Sequence, residues 1–495
     1  MIDFNNKKIK IYLIYTLYKY IIYVVSAAVY VNLSDGSPLF GSFVQASTGK
    51  YISQFLGIPF AEPPIEDCLY LNIYVPGEID QEKRLPVLFW IYGGGFWSGT
   101  ASLDVYDGKI FSGVTVFGFL YLGREEAPGN MGLWDQLLAL KWIYKNIQTF
   151  GGDPSLITLF GESAGAASVS MHMLSPRSQP YFTRSILQSG SATAPWAVEN
   201  KQASADKLRD SEWSPVMEFA DFPWVPVIDG EFLDISKKHN YWQEDVFPPA
   251  EFFDKKDFIK SREVWLKSVS SLLPRQILKS SLALQAILNN YEPEGLPVES
   301  KQWVDSLDKM LGDFLFTCNV NDFALAHSEH GADTYYYMFS HRASQQTWPA
   351  WMGVLHGYEI NFIFGEPYNR KQFKYTKEEQ ELSSRFMRFW ANFARTGDPN
   401  RNPDNSYNSD WPPYNSKTME YINLTIESDY IQKGSKRLGT GPRRKHCNFW
   451  KFISKLISIS EEKMKMKMIN FQNSKDHIWI INVDPRDIRT QRIYE

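Results

Sequence analysis

The chain is 495 residues long, 44% apolar, with 16 Trp, 27 Tyr and 33 Phe. That is ample for one large domain with a sizeable core, and enough aromatic surface to line a deep pocket. The formal net charge of −4 gives no electrostatic case for nucleic acid, whose binders concentrate basic residues on one face.

At the N-terminus Lys7, Lys8 and Lys10 precede an apolar run, Tyr20–Ala28, that ends in Ser26-Ala27-Ala28, a small-x-small cleavage pattern. Residues 1–28 are therefore expected to form a secretory signal peptide, with an uncleaved anchor as the alternative. Lys19 interrupts the longer run Ile9–Val31 and weakens it as a membrane span. Two glycosylation sequons, Asn32-Leu33-Ser34 and Asn423-Leu424-Thr425, fit a lumenal or extracellular route. One domain is expected over 29–455. Val29–Pro64 reads as alternating strands with turns at Asp35-Gly36 and Gly49, and Leu69–Val75 and Leu85–Tyr92 read as further strands. The last is apolar enough to be central and parallel.

In Met131–Phe150 the spacing of Leu133, Leu137, Leu140, Ile143 and Ile147 predicts a helix that stops at Gly151. Strand and helix in alternation argue for an α/β chain with a mostly parallel sheet covered on both faces. Asp254–Val320 reads as several helices, Thr334–Phe339 as a strand, and Thr376–Phe393 as a helix with Glu378, Glu379 and Glu381 near its start. Lys433–Lys445 and Met464–Met468 read as solvated tail, and 456–495 as a weakly structured C-terminal extension. Of the three cysteines, Cys68, Cys318 and Cys447, at least one lacks an intrachain partner. Beyond Cys447 the tail holds no cysteine for an intersubunit bond and no terminal apolar run for a lipid anchor, so it does not indicate oligomerisation.

The chemistry is concentrated in Ile157–Ser170. The run Leu156–Phe160 meets Gly161-Glu162-Ser163-Ala164-Gly165, followed by small residues that read as a helix. This is Gly-x-Ser-x-Gly in its required setting of strand, sharp turn and helix, which lifts a serine hydroxyl at the sheet edge. An alkoxide attacking an ester carbonyl creates an oxyanion that needs preorganised N–H donors. Tyr92-Gly93-Gly94-Gly95-Phe96-Trp97 directly follows a strand and lies upstream of the elbow, so the amides of Gly94 and Gly95 are assigned that role, with Ala164 as third donor. A base is expected from His356, in the loop Gly353–Glu359, well downstream of the serine. The acid that should orient it has no distinguishing context: Asp229, Glu231, Asp234, Glu244, Asp245 and Asp333 all lie in the window.

Over roughly residues 45–455 the chain resembles the type-B carboxylesterases, and within them the cholinesterases. The resemblance is carried by FLGIPFAEPP (55–64), EDCLYLNIYVP (66–76), WIYGGGFWSG (90–99), LDVYDGK (103–109), EAPGNMGLWDQ (126–136), FGGDPSLITLFGESAGAASVSMHMLSP (150–176), ILQSGSATAPWA (186–197) and HGYEINFIFGEP (356–367). It implies an α/β-hydrolase fold with Ser163 as acylated nucleophile, His356 as base, and Gly94, Gly95 and Ala164 as oxyanion hole. It further implies an acyl pocket containing Trp196 and Phe222, with Glu162 and Trp97 also in the substrate pocket, and a structural disulfide joining Cys318 to Cys447. Trp348, Trp351 and Tyr358 around the histidine look like the acetylcholinesterases.

Departures from the family pattern bear on function. Between Pro64 and Glu66 the chain lacks the loop that carries the family's choline-binding tryptophan, a cation–π contact, together with the partner of Cys68. The strand around Thr115–Phe119 is cut short, which leaves Glu66 and Asp135 without their arginine partners. A block after Asn200 is gone. Between Asp234 and Tyr241 the segment holding the triad glutamate is absent, and Ala220 stands where a bulky acyl-pocket aromatic is usual. With intact motifs on either side, these blocks resemble missing exons, and the sheet is expected to be incomplete. The expected function is a secreted or cell-surface serine hydrolase cleaving carboxylic esters, acetylcholine as the family substrate, impaired by the missing acid and choline loop. It calls for no cofactor, metal or nucleic acid, and leaves membrane or extracellular-matrix association open. The alternative is a noncatalytic, neuroligin-like adhesion or scaffold protein on the same fold.

Overall fold

The structure is a computed structural model. It describes residues 28–457 except 47–48, 63–68, 102, 104–115, 200–224, 230, 234–258, 296–297, 409, 433 and 435. Outside the described residues lie the expected signal segment up to 27, the tail from 458, Glu66, Cys68, Ala220, Phe222, Asp234, Glu244 and Asp245, as does the side chain of Trp351.

Strands β1 (Ala28–Asn32), β2 (Pro38–Gln45), β3 (Tyr51–Pro59) and β4 (Tyr70–Pro76) form an antiparallel sheet in chain order, as their alternating patterns require. β5 (Leu85–Ile91) starts a separate parallel sheet of order β5-β8-β9, with β8 at Gly152–Glu162 and β9 at Arg184–Gln188. Between them β6 (Tyr121–Arg124) and β7 (Ala127–Pro128) make a hairpin. Helix α1 (Met131–Asn146) buries Leu133, Leu137, Leu140 and Ile143 and tightens into a 3₁₀ turn, Ile147–Phe150. It ends at Gly151, whose φ of 86° only glycine adopts at little cost. This is the helix and stop expected from the apolar spacing. Its Leu140, Ile143 and Ile147 join Phe55, Ile73, Ile157 and Leu159 in one core, which locks the antiparallel sheet to the parallel one.

Helix α2 (Ala164–Leu174) leaves β8 through Ser163. The helical region then supplies α3 (Arg262–Leu272), α4 (Ser281–Tyr291), α5 (Ser300–Gly312) and α6 (Cys318–Glu329), with one π turn, Asp313–Thr317, joining the last two. α7 (Lys377–Thr396) begins with a capping box: the Glu379 amide donates to Thr376 Oγ1 at 3.2 Å, and Glu379 Oε2 accepts from the Thr376 amide at 2.7 Å. It packs under a third sheet of order β10-β11-β12 (Tyr337–Phe339, Glu420–Leu424, Leu438–Thr440).

The expected parallel sheet is therefore interrupted. Among the described residues β9 pairs only with β8 and β10 only with β11, and both open edges line one cavity of about 1650 Å³. Asp135 has no ion pair among the described residues, and burial pushes its carboxyl up to about 6, as expected for an acid that lost its partner.

One expectation needs correcting. Lys433–Lys445 is not solvated tail throughout, because Leu438–Thr440 is strand β12 and Arg443 makes a two-pronged ion pair with buried Asp313. A helix over 444–457 follows and buries Trp450, Ile453 and Ile457 against α3–α6. The basic composition hid a structural arginine. The sequon at Asn423 also lies inside β11, and its side chain is bonded to Ser340 Oγ and the Lys436 carbonyl; Asn32 is exposed at the end of β1.

Candidate active site

The turn at Ser163 is set by close backbone approach. An ideal Cβ on Gly165 would stand 2.0 Å from the Ile91 carbonyl, so the start of α2 lies directly against the end of β5, and only glycine fits. Ser163 itself has φ 56° and ψ −122°, a conformation costly for a residue with a side chain and held here by the packed elbow. Its amide donates to the Gln188 carbonyl at 2.9 Å, and its carbonyl accepts from the Ala167 amide at 2.9 Å. The residue is 9% exposed.

The glycine loop after β5 turns through Gly94, with φ 114°, where an ideal Cβ would sit 2.1 Å from the Ser98 carbonyl oxygen. The Gly94 carbonyl accepts from the amides of Trp97 and Ser98 and from Ser98 Oγ, which pins the loop. Gly93 sits over the elbow: an ideal Cβ there would meet Glu162 Oε2 at 2.8 Å and Ser163 Cβ at 3.0 Å. Among the described residues the amides of Gly94, Gly95 and Ala164 have no hydrogen-bond acceptor, and the Ala164 amide opens α2, where the helix dipole favours negative charge.

His356 comes to the elbow from its far-downstream loop. Its Nε2 lies 2.9 Å from Glu162 Oε1, with the Glu162 side chain 8% exposed and the imidazole 28%. The approach is off the line of a good hydrogen bond, so the pairing is chiefly one of charge. Burial alone would lower the imidazole pKa. The charge of Glu162, contact with it and the charge of Glu359 outweigh that, and the net shift is upward. Glu359, three residues on, is 4% exposed and accepts from Gln188 Nε2 at 3.3 Å. Burial first, then the neighbouring Glu162 charge, pushes its carboxyl up to about 7. Among the described residues Ser163 Oγ makes no hydrogen bond with His356.

An aromatic wall flanks the imidazole. Phe316, in the π turn, lies 4.5 Å from the His356 ring centre, and Trp196 lies 5.8 Å from Phe316. Trp196 is held by its Nε1 donating to the Leu315 carbonyl at 2.9 Å and by Phe96 at 6.4 Å. Trp97 is half-buried on the glycine loop, and Trp348 is exposed at the mouth of the large cavity. Phe316 went unnoticed in the sequence, because its position depends on the π turn, which has no local signature. Cys318, two residues beyond it, is joined to Cys447 by a disulfide.

Of the six acid candidates, Asp229, Glu231 and Asp333 lie among the described residues. Asp229 Oδ1 accepts the amides of Glu231, Phe232 and Leu233, and its Oδ2 accepts from Asn130, so it is spent fixing its own turn. Glu231 and Asp333 are exposed, and neither pairs with His356. A second buried histidine–carboxylate pair, His341 with Glu379 at 3.0 Å, belongs to the start of α7 and fixes the cap through Ser344. Among the described residues no group of three or more His, Cys, Asp or Glu could hold a metal ion.

A family model described as "Carboxylesterase family" matches residues 65–210 and 201–450. "Acetylcholinesterase 1" of Caenorhabditis elegans is 52% identical over 544 positions, covering 85% of this chain and 87% of the relative. "Acetylcholinesterase 1" of Caenorhabditis briggsae is 50% identical over 551 positions (86% and 88%), and "Acetylcholinesterase" of Bungarus fasciatus 36% over 549 (87% of each). In the first alignment 85% of 495 residues, about 420, stand against 544 positions. About 120 positions of the relative thus have no counterpart here, consistent with whole absent blocks between well-matched ones.

Proposed function

Because this chain belongs to the carboxylesterase family, whose fold is the α/β-hydrolase fold, we propose that it cleaves a small carboxylic ester, acetylcholine being the substrate class named by its relatives, through an acyl-Ser163 intermediate. The observation that carries the reading is Ser163 strained at the tip of the elbow, with Gly93 of the glycine loop packed over it and, among the described residues, no acceptor for the amides of Gly94, Gly95 and Ala164. In that reading Ser163 Oγ attacks the ester carbon, the three amides meet the developing oxyanion, and His356 takes the serine proton. By resemblance, Trp196 and Phe222 are assigned to the acyl pocket and Trp97 to the substrate pocket. The absent choline loop predicts weak preference for a cationic alcohol over a neutral one of the same shape. The disulfide fits an oxidising, extracellular or cell-surface location.

A fluorophosphonate probe tests the reading. Labelling of the wild-type chain at Ser163, lost in Ser163→Ala, is expected. The capture of His356 by Glu162 favours one other reading, a noncatalytic scaffold on the same fold. A well-folded protein that never labels would establish that reading instead.

A further inference from the structure

We propose that Glu162, the residue immediately before the nucleophile, is the positioning carboxylate of His356 and takes the place of a triad acid, which none of the described candidates between serine and histidine supplies. This rests on Ser163 and His356 being nucleophile and base. Among the described residues the carboxylates that act on His356 are Glu162, in contact at 2.9 Å, and Glu359, at longer range. Glu359 is already engaged by Gln188, whose Oε1 in turn accepts from Trp390 Nε1 at 3.3 Å. A carboxyl driven toward its neutral form cannot balance an imidazolium as an ionised one does.

Glu162 and Ser163 reach the same site because the strand alternation is broken between them. Successive side chains of a strand point to opposite faces, but the positive φ of Ser163 turns the chain, and Gly93 touches both side chains. Phe316 packs against the imidazole ring, with ring centres 4.5 Å apart. With Nε2 against Glu162 as its charge partner, the proton of a neutral ring is assigned to Nε2 and its lone pair to Nδ1. The serine proton then passes from Oγ to Nδ1 as Oγ bonds the carbonyl carbon. The same proton passes from Nδ1 to the departing alkoxide as the ester C–O bond breaks. Water repeats the sequence to free the acid, and no proton is routed through Glu162, whose place is beside the imidazole.

The test compares wild type, Glu162→Gln, Glu162→Asp and Glu359→Gln by fluorophosphonate labelling rate against pH, and by histidine-ring NMR titration, with thermal melting as the control for folding. Glu162→Gln is expected to label about a hundredfold more slowly or worse, with His356 titrating at lower pH than in wild type. Glu162→Asp, which keeps the charge, should recover part of the rate, and Glu359→Gln should lose far less than Glu162→Gln. A folded Glu162→Gln that labels within twofold of wild type, with an unmoved His356 titration, overturns the proposal. So does a loss confined to Glu359→Gln. A wild-type chain that never labels, yet whose His356 titration falls in Glu162→Gln, refutes the hydrolase reading while showing the pairing itself to be real. That result also ends the catalytic part of the proposal.

Discussion

Removing the Cys318–Cys447 bridge isolates how much of this fold is held through its unfolded state. The two cysteines are 129 residues apart, and closing a loop of that length costs the unfolded chain about 5 kcal/mol of entropy at 25 °C. Both side chains are buried in the helical core, at 5% and 2% exposure, so replacing the pair by alanine removes little polar surface. The junction keeps other ties: Arg443 to Asp313, and Trp450 Nε1 donating to the Tyr291 hydroxyl at 2.8 Å. The expected outcome for Cys318→Ala/Cys447→Ala is a native state that retains Phe316 against His356 but loses about 5 kcal/mol on urea unfolding. At about 2.1 cal/mol/K per residue, a domain of this size would melt about 5 °C lower. Urea titration and calorimetry of the bridged and bridge-free proteins, with Ser163 labelling in parallel, read both effects. An unchanged urea midpoint would refute the loop-entropy argument. Labelling lost well below the unfolding transition would show that the bridge shapes the native site instead.

Two further outcomes follow from single residues. Asp135 has a carboxyl raised by burial to about 6, above the value near 4 expected in the unfolded chain, so its ionised form penalises the fold above about pH 6 and the penalty vanishes below about pH 4. After allowance for its partial exposure, Asp135→Asn should gain roughly 1–2 kcal/mol at pH 7.5 and nothing at pH 4, and equal gains at both would refute this. Gly165→Ala pushes a methyl onto the Ile91 carbonyl, so it should cost at least about 1–3 kcal/mol and slow Ser163 labelling more than it lowers stability, measured by melting and probe kinetics.

The sequence alone carried the strands before Tyr92, the helix ending at Gly151, the helix from Thr376 and the elbow at Ser163, because each is written in local periodicity or in glycines with no alternative. The family motifs carried the pairing of Cys318 with Cys447. Composition misread Lys433–Lys445, since the value of Arg443 lies in a buried partner, Asp313, that no local pattern reveals. Which carboxylate meets His356 was likewise illegible: none of the six acids singled out between serine and histidine had a distinguishing context, and among the described residues the contact is made by Glu162, outside that window. That choice, together with Phe316 against the imidazole and the cavity between β9 and β10, belongs to tertiary packing. Residues far apart in the chain meet only after the strand turns at Ser163 and the helices close around it, and spacing along the chain does not encode those distances.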